Sequence, residues 1–243
     1  MRKLFQSEFL KLRKSAIWLL IFVSPILSLL LGLGAGTMTD LGEQQWIETL
    51  GMMTISHAIL FLPLLTGVFS SFICRYEHVG GGWKQLLTMP VSRKNVYIVK
   101  VLIVSFLIGL TQLLFVSGLF LIGWLKGFST DLPWEVIATS VLGGWIACLP
   151  LIALQMFVSI AWSSFAAPLA VNVIFTIPNM LIVNSEKFGP YYPWAQPFLL
   201  MMPSTGESFG ALNVSATTLI IVVFGSLILF LGSGLGYFIR KEI

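Results

Sequence analysis

Charge is missing from this chain over long contiguous stretches, and that constrains the fold more than any other feature. Cutting the sequence at every Asp, Glu, Lys and Arg leaves uncharged runs of 25 residues (15–39), 26 (49–74), 25 (101–125), 50 (136–185) and 32 (208–239). A helix rising about 1.5 Å per residue needs roughly 20 residues to cross a hydrocarbon core of about 30 Å. Each run can therefore span, and the 136–185 run can span twice. With 57% apolar and only 10% charged residues, a soluble globular domain is excluded.

The expectation is an all-α membrane protein with six transmembrane helices, at Ala16–Gly36, Met52–Ile73, Val101–Trp124, Val136–Ala161, Phe165–Val183 and Ala216–Ile239. The whole chain, 1–243, reads as one transmembrane domain. Its pieces 1–14, 75–100 and 240–243 hold 12 of the 14 Lys and Arg residues, while the opposite loops carry mostly Asp and Glu. By the positive-inside rule both termini are cytoplasmic. Reading 136–185 as a single span would put Arg240 and Lys241 outside, which favours six crossings, with a short inner turn at Trp162–Ser164 and Pro168 in the first turn of the next helix. Arg2 and Lys3 ahead of an apolar stretch resemble a signal peptide, but the stretch is too long, and it is expected to be retained as the first span.

Residues 1–14 place Leu4, Phe5, Phe9 and Leu12 on one helical face and most of the basic side chains around the other, as in an interfacial helix. Pro25, Pro63, Pro150 and Pro178 each remove a hydrogen bond within a span and allow a bend. Gly32/Gly36 and Gly232/Gly236 are weak signals of close helix contact. The outer segment 184–215, rich in proline and with Tyr191, Tyr192 and Trp194 at headgroup level, is expected to form short re-entrant or interfacial helices. Cys74 and Cys148 lie at different depths, about 20 Å apart, and are not expected to pair.

Absences narrow the function. None of the six expected spans contains Asp, Glu, Lys or Arg, and only His57 could titrate within them. Ion-coupled transporters and intramembrane hydrolases depend on such groups. His57, expected about one turn into span two, reads as a hydrogen-bonded structural histidine rather than a proton relay. There is no G-x-x-x-x-G-K-[ST], H-E-x-x-H or G-x-S-x-G, and no metal-spaced Cys/His cluster; Gly80–Gly82 with Trp83 and Lys84 lacks the rest of a phosphate loop. The chain is not expected to catalyse a reaction, bind a metal or bind nucleic acid.

The inner loop 74–100 places Glu77 just past a span, then glycines, a short amphipathic helix over Trp83–Thr88, and a Pro90 and Ser92 stop before the next helix. Glu77, Gly80–Gly82, Leu86-Leu87, Pro90, Ser92 and Arg93, with EFLKLRKSAIWLL at the start and YYPWAQP later, resemble the permease subunits of type-2 ATP-binding-cassette exporters. The similarity is strongest to the lantibiotic-immunity and bacitracin-type peptide exporter branch. The resemblance implies a bacterial cell-membrane assembly of two permeases, identical or homologous, and two cytoplasmic ATPases. ATP and Mg would bind on the partner ATPase and no cofactor on this chain. Glu77, Trp83, Lys84, Leu86, Leu87, Pro90, Ser92 and Arg93 would be the coupling residues. The expected function is export of amphipathic peptides or peptide antibiotics from the membrane; the alternatives are export of a lipid or other small amphiphile, or a non-transport assembly or sensing role. In the fifth span Asn172, Phe175, Thr176 and Asn179 recur at i, i+3, i+4 and i+7. That face either bonds a neighbouring helix or lines a substrate pathway under a lid containing Tyr191 and Trp194.

Overall fold

A computed structural model of the chain describes residues 2–13, 15–34, 36, 42–79, 81–88, 90–128, 131–203 and 210–241. In chain order these form α1 (Arg2–Leu12), α2 (Ile17–Gly34), α3 (Gly42–Ser56), a π segment (His57–Phe61), α4 (Leu62–His78), α5 (Gly82–Thr88), α6 (Arg93–Lys126), α7 (Trp134–Ala161), α8 (Ala166–Thr176), α9 (Asn179–Ile182), α10 (Gln196–Met201) and α11 (Ala216–Arg240), with short 3-10 turns at Gly189–Tyr191 and Gly210–Asn213. Among the described residues, five helices are long and apolar enough to cross a membrane: α2, the continuous rod Gly42–His78, α6, α7 and α11.

Three boundaries differ from the sequence expectation. The second span starts at Gly42: Glu48, which closes the uncharged run, lies within the helix, and Glu43 is exposed on its first turn, ahead of the buried Trp46, Thr49 and Leu50. An acidic first turn also suits the positive end of the helix dipole. The third helix runs Arg93–Lys126. Ser92 caps its start by accepting from the Asn95 N–H (3.3 Å), and Gly127 at φ 68° ends it, with the Phe128 N–H reaching Gly123 O at 2.9 Å. The expected fifth span is the shorter apolar stretch Ala166–Ile182, interrupted between Thr176 and Asn179 at Pro178.

That broken helix runs back along α4. Phe165 meets Phe72 edge-on at 5.6 Å, Asn172 reaches Pro63 O, and Asn179 reaches Ile59 O. The Trp162–Ser164 turn therefore lies at the same end of the molecule as Arg75 and His78, hereafter the basic end. The rod, α6 and α7 form the centre: 72% of the rod's most apolar window is buried, against 17% for α11. The peripheral helices present Phe22, Ile26 and Leu30 on α2, and Ile221, Ile228 and Leu229 on α11, as an apolar outer surface. α11 approaches α7 closely where Gly234 leaves room for Tyr97 and Phe157, and Tyr97 donates to Ala153 O at 3.2 Å. Gly32 packs tightly on Met53 and Ile122, whereas Gly36, Gly232 and Gly236 meet nothing. α10 tucks against Gly143 and Gly144 of α7, where any side chain would strike Leu200 or Met201. Cys74 and Cys148 are both free and buried.

Candidate functional site

At the basic end, three helices meet on four charged side chains. Glu8 and Lys11 sit one turn apart on α1, Glu77 closes α4, and Lys100 lies in the second turn of α6. Lys100 Nζ is 2.5 Å from Glu8 and 3.2 Å from Glu77, while Lys11 Nζ is 2.5 Å from Glu8 and 2.6 Å from Glu77. Lys100 is fully buried and both carboxylates are about 3% exposed, so each charge depends on the others for solvation. Burial alone would raise the Glu8 carboxyl; the Lys100 and Lys11 ammonium groups outweigh it and hold Glu8 below its ordinary value of 4.5. Burial likewise works against the Lys11 charge, but Glu77 and Glu8 raise it above its ordinary 10.5. The earlier expectation of charge-free spans changes here: Lys100 is a buried cation inside a helix that continues across the membrane.

The short helix α5 rests directly on this junction. Gly81, at φ 75°, makes the turn that glycine adopts without strain. Gly82 then lies so close that a Cβ would be 2.8 Å from Tyr76 O and 2.9 Å from Glu77 Cα. Trp83 turns inward, 5.1 Å from the Phe238 ring and 5.6 Å from Lys100 Nζ, and its indole donates to His78 Nδ1 at 3.2 Å. His78 in turn donates from Nε2 to Ser159 O at 2.8 Å, the tautomer that both contacts require. Leu86, expected among the coupling residues, is turned inward at 7% exposure. Lys84, Gln85, Thr88, Pro90, Ser92 and Lys94 are exposed and form the outer face of the loop. Gly80 and the Leu87 side chain lie outside the described residues. Arg93 donates to Phe238 O, Ile239 O and Lys241 O at 2.6–3.3 Å and so closes the end of α11, while Lys241 donates to Ile160 O at the end of α7. Cations at carbonyl ends of helices are favoured by the dipole.

Farther along the rod, a second constellation surrounds the π segment. Pro63 has no N–H for Ile59 O, and Asn179 Nδ2 supplies the missing donor at 2.8 Å while also donating to Trp194 O at 2.9 Å. Asn172 donates to Pro63 O (2.9 Å) and Leu64 O (3.1 Å) and accepts from Gln155 Nε2 (3.0 Å) and Trp194 Nε1 (2.8 Å). Gly67 makes this possible, since a Cβ there would overlap the Asn172 amide. Of the four residues expected on one face, Asn172, Thr176 and Asn179 are buried together, with Thr176 bonded to Asn172 O. Phe175 is 43% exposed, stacks on Trp194 at 5.0 Å, and its carbonyl accepts from Tyr192. Tyr191 stands outward, at 66% exposure.

His57 is not near the start of its span but midway along the rod, at the first π residue. It is fully buried, stacked on Phe115 at 4.2 Å, and bonded to Ser24 (2.5 Å) and Gln112 (3.1 Å); Gln112 also touches Met201 of α10 at 3.3 Å. This ties α2, the rod, α6 and α10 together at one level. Glu8, Lys11, Lys100 and Gly67 escaped the sequence reading. The available signal was that Glu8 is the lone acid of a basic helix and that Glu77 and Lys100 face each other across one loop. Among the described residues, no three His, Cys, Asp or Glu side chains gather as a metal site.

This is an all-helical membrane domain with a short helix docked across the ends of two of its long helices. The comparison with known families places it: residues 4–179 match the ABC-2 family transporter protein model, and the chain belongs to that family. It is also 25% identical over 179 residues to the bacitracin transport permease protein BCRB of Bacillus licheniformis, covering 69% of this chain and 85% of that protein. The chain is thus a multi-pass, non-catalytic permease component, of a family whose members pair with an ATPase subunit.

Proposed function

We propose that the chain is the membrane half of an ATP-driven exporter that removes amphipathic peptides or peptide antibiotics from a bacterial cell membrane. The basic end then faces the cytoplasm, α8–α9 supplies the sixth crossing, and a second permease completes the pathway. ATP and Mg belong to the partner ATPase. The observation that carries this reading is α5: Trp83 and Leu86 are buried, with Trp83 beside Lys100, while Lys84, Gln85 and Thr88 form an exposed polar face. A partner that pushes on that face moves a body welded to α1, α4 and α6 by Glu8, Glu77 and Lys100, so Glu77 acts as a positioning residue behind the contact. The peptide class is supported by the similarity to a bacitracin transport permease. Phe175 and Tyr191, exposed beside the buried Trp194, are the parts of the expected pathway that a membrane-dissolved substrate can reach in this conformation.

Affinity purification of the tagged chain from native membranes should recover an ATP-binding-cassette ATPase, and Lys84→Glu should reduce that recovery without altering insertion. Cells lacking the chain should become sensitive to a membrane-active peptide. Full resistance in its absence would refute the peptide assignment, and failure to recover any ATPase would refute the exporter assignment.

A further inference from the structure

At the end opposite the charged junction, α3, α6 and the start of α7 line a shallow, open groove of about 380 Å³ bordered by Trp46, Phe120, Gly123, Trp124, Phe128 and Trp134. Trp46 stands edge-on to Phe120 and Phe128, with ring centroids 6.2 and 5.2 Å away, and Trp134 leans on Phe120 at 5.5 Å. Trp46 reaches this position only because residue 123 is glycine; a Cβ there would overlap the outer ring of the indole. Aromatic residues are common at membrane interfaces, and that accounts for Trp124 and Trp134, which are 77% and 59% exposed. It does not account for a Trp46 only 6% exposed, seated on a glycine and ringed by two phenylalanines.

The negative faces of aromatic rings attract cations, most strongly for tryptophan. The surroundings reinforce that sign. Asp131 and Glu135 are exposed and flank Leu132 and Trp134 in sequence, and exposed Glu43 lies one turn before Trp46. Among its contacts, Lys126 at this edge donates to Gly32 O at 3.1 Å. We propose that this groove binds a cationic amphiphile, its ammonium group against the indole faces within the acidic rim and its apolar part against Phe120, Phe128 and Leu132. As the physiological ligand this deepens the export reading, on which it rests; binding itself requires no ATPase.

The test uses the purified full chain in an uncharged maltoside detergent, titrated with dodecyltrimethylammonium by equilibrium dialysis, with dodecanol as the uncharged chain of equal length. Saturable binding of the ammonium in excess of the alcohol is expected. Trp134→Leu, which keeps apolar bulk and removes the indole face, should weaken it about two- to thirtyfold. Glu135→Gln should weaken it at low salt and little at high salt. Trp124→Leu, at the most exposed wall, gives an independent reading should Trp134→Leu melt early. Equal binding of alcohol and ammonium, or unchanged affinity in both tryptophan variants, overturns the proposal. Displacement of the probe by added phosphatidylcholine would assign the groove to bilayer headgroups and overturn it as well. Absent ammonium binding alongside intact ATPase recovery would sink this inference alone, leaving the export reading in place.

Discussion

Lys100 has no water to fall back on, so its partners decide whether α6 can carry a charge at that depth. Lys100→Met leaves the two buried carboxylates of Glu8 and Glu77 sharing the single Lys11 ammonium and is expected to cost about 3–5 kcal/mol, read as a lowered melting temperature in detergent. Adding Glu8→Gln and Glu77→Gln should recover part of that loss; a triple variant no more stable than the single one would show that the charges do not act as a unit. The pH response follows from the same atoms. Glu8 is depressed below 4.5, so its contribution is complete above about that pH and disappears as pH falls through its lower folded value. Lys11 is raised above 10.5, so its contribution is complete below that pH and disappears as pH rises through the higher folded value. Melting temperature should therefore be flat between these limits and fall on the acid side, with Glu8→Gln reducing the acid-side fall. Gly67 provides a steric counterpart. Gly67→Ala should destabilise the chain by about 1–3 kcal/mol through its clash with Asn172, and in the Asn172→Ala background the same change should cost far less.

At the scale of elements, α5 separates two kinds of defect. Trp83→Ala should lower stability by about 3–5 kcal/mol, because the ring is buried against Phe238. Substitutions at Lys84, Gln85 or Thr88 should leave melting unchanged and act only on ATPase association. The existence of this helix was legible in the sequence from its glycines, Pro90 and Ser92, but its facing was not. Two turns are too few to set a hydrophobic phase, and what covers the inner face includes Phe238, from the far end of the chain. The amide lock was half legible for a similar reason. Pro63 announces a freed carbonyl at Ile59, but the donor that answers it is 120 residues away. Phase alone also misjudged Phe175: at about 100° per residue it falls at the edge of the arc shared by Asn172, Thr176 and Asn179, and it stacks outward on Trp194 while those three are buried.

For the whole molecule, the arrangement of helices was largely written in where charge is absent. The helix ends were not, because a charge such as Glu43 or Lys100 can sit on a helix that continues past it. The orientation rests on the distribution of Lys and Arg and has a direct check. Single cysteines at Asp131 and Lys187, both exposed, should react with an impermeant thiol reagent in intact cells, and one at exposed Lys94 should not. Labelling at Lys94 would reverse the assignment of the two ends.

The π segment at His57–Phe61 has a consequence for how this protein can change by insertion and deletion. A π turn holds one residue more than the α turn it replaces. Removing one residue from Ile59–Phe61 would restore an unbroken α-helix, still apolar and still long enough to insert. Because the π turn already takes up the extra residue, its two halves would keep nearly their present setting, whereas deleting Leu65 from the α-helical part would turn them by about 100° and draw them about 1.5 Å. The Leu65 deletion would swing Glu77 off Lys100 and Gly67 off Asn172, although every residue outside it kept its identity. The Leu65 deletion is therefore expected to reach the membrane with its basic-end junction undone, a failure of angular phase rather than of composition, while a one-residue deletion within Ile59–Phe61 should keep the junction and its melting temperature.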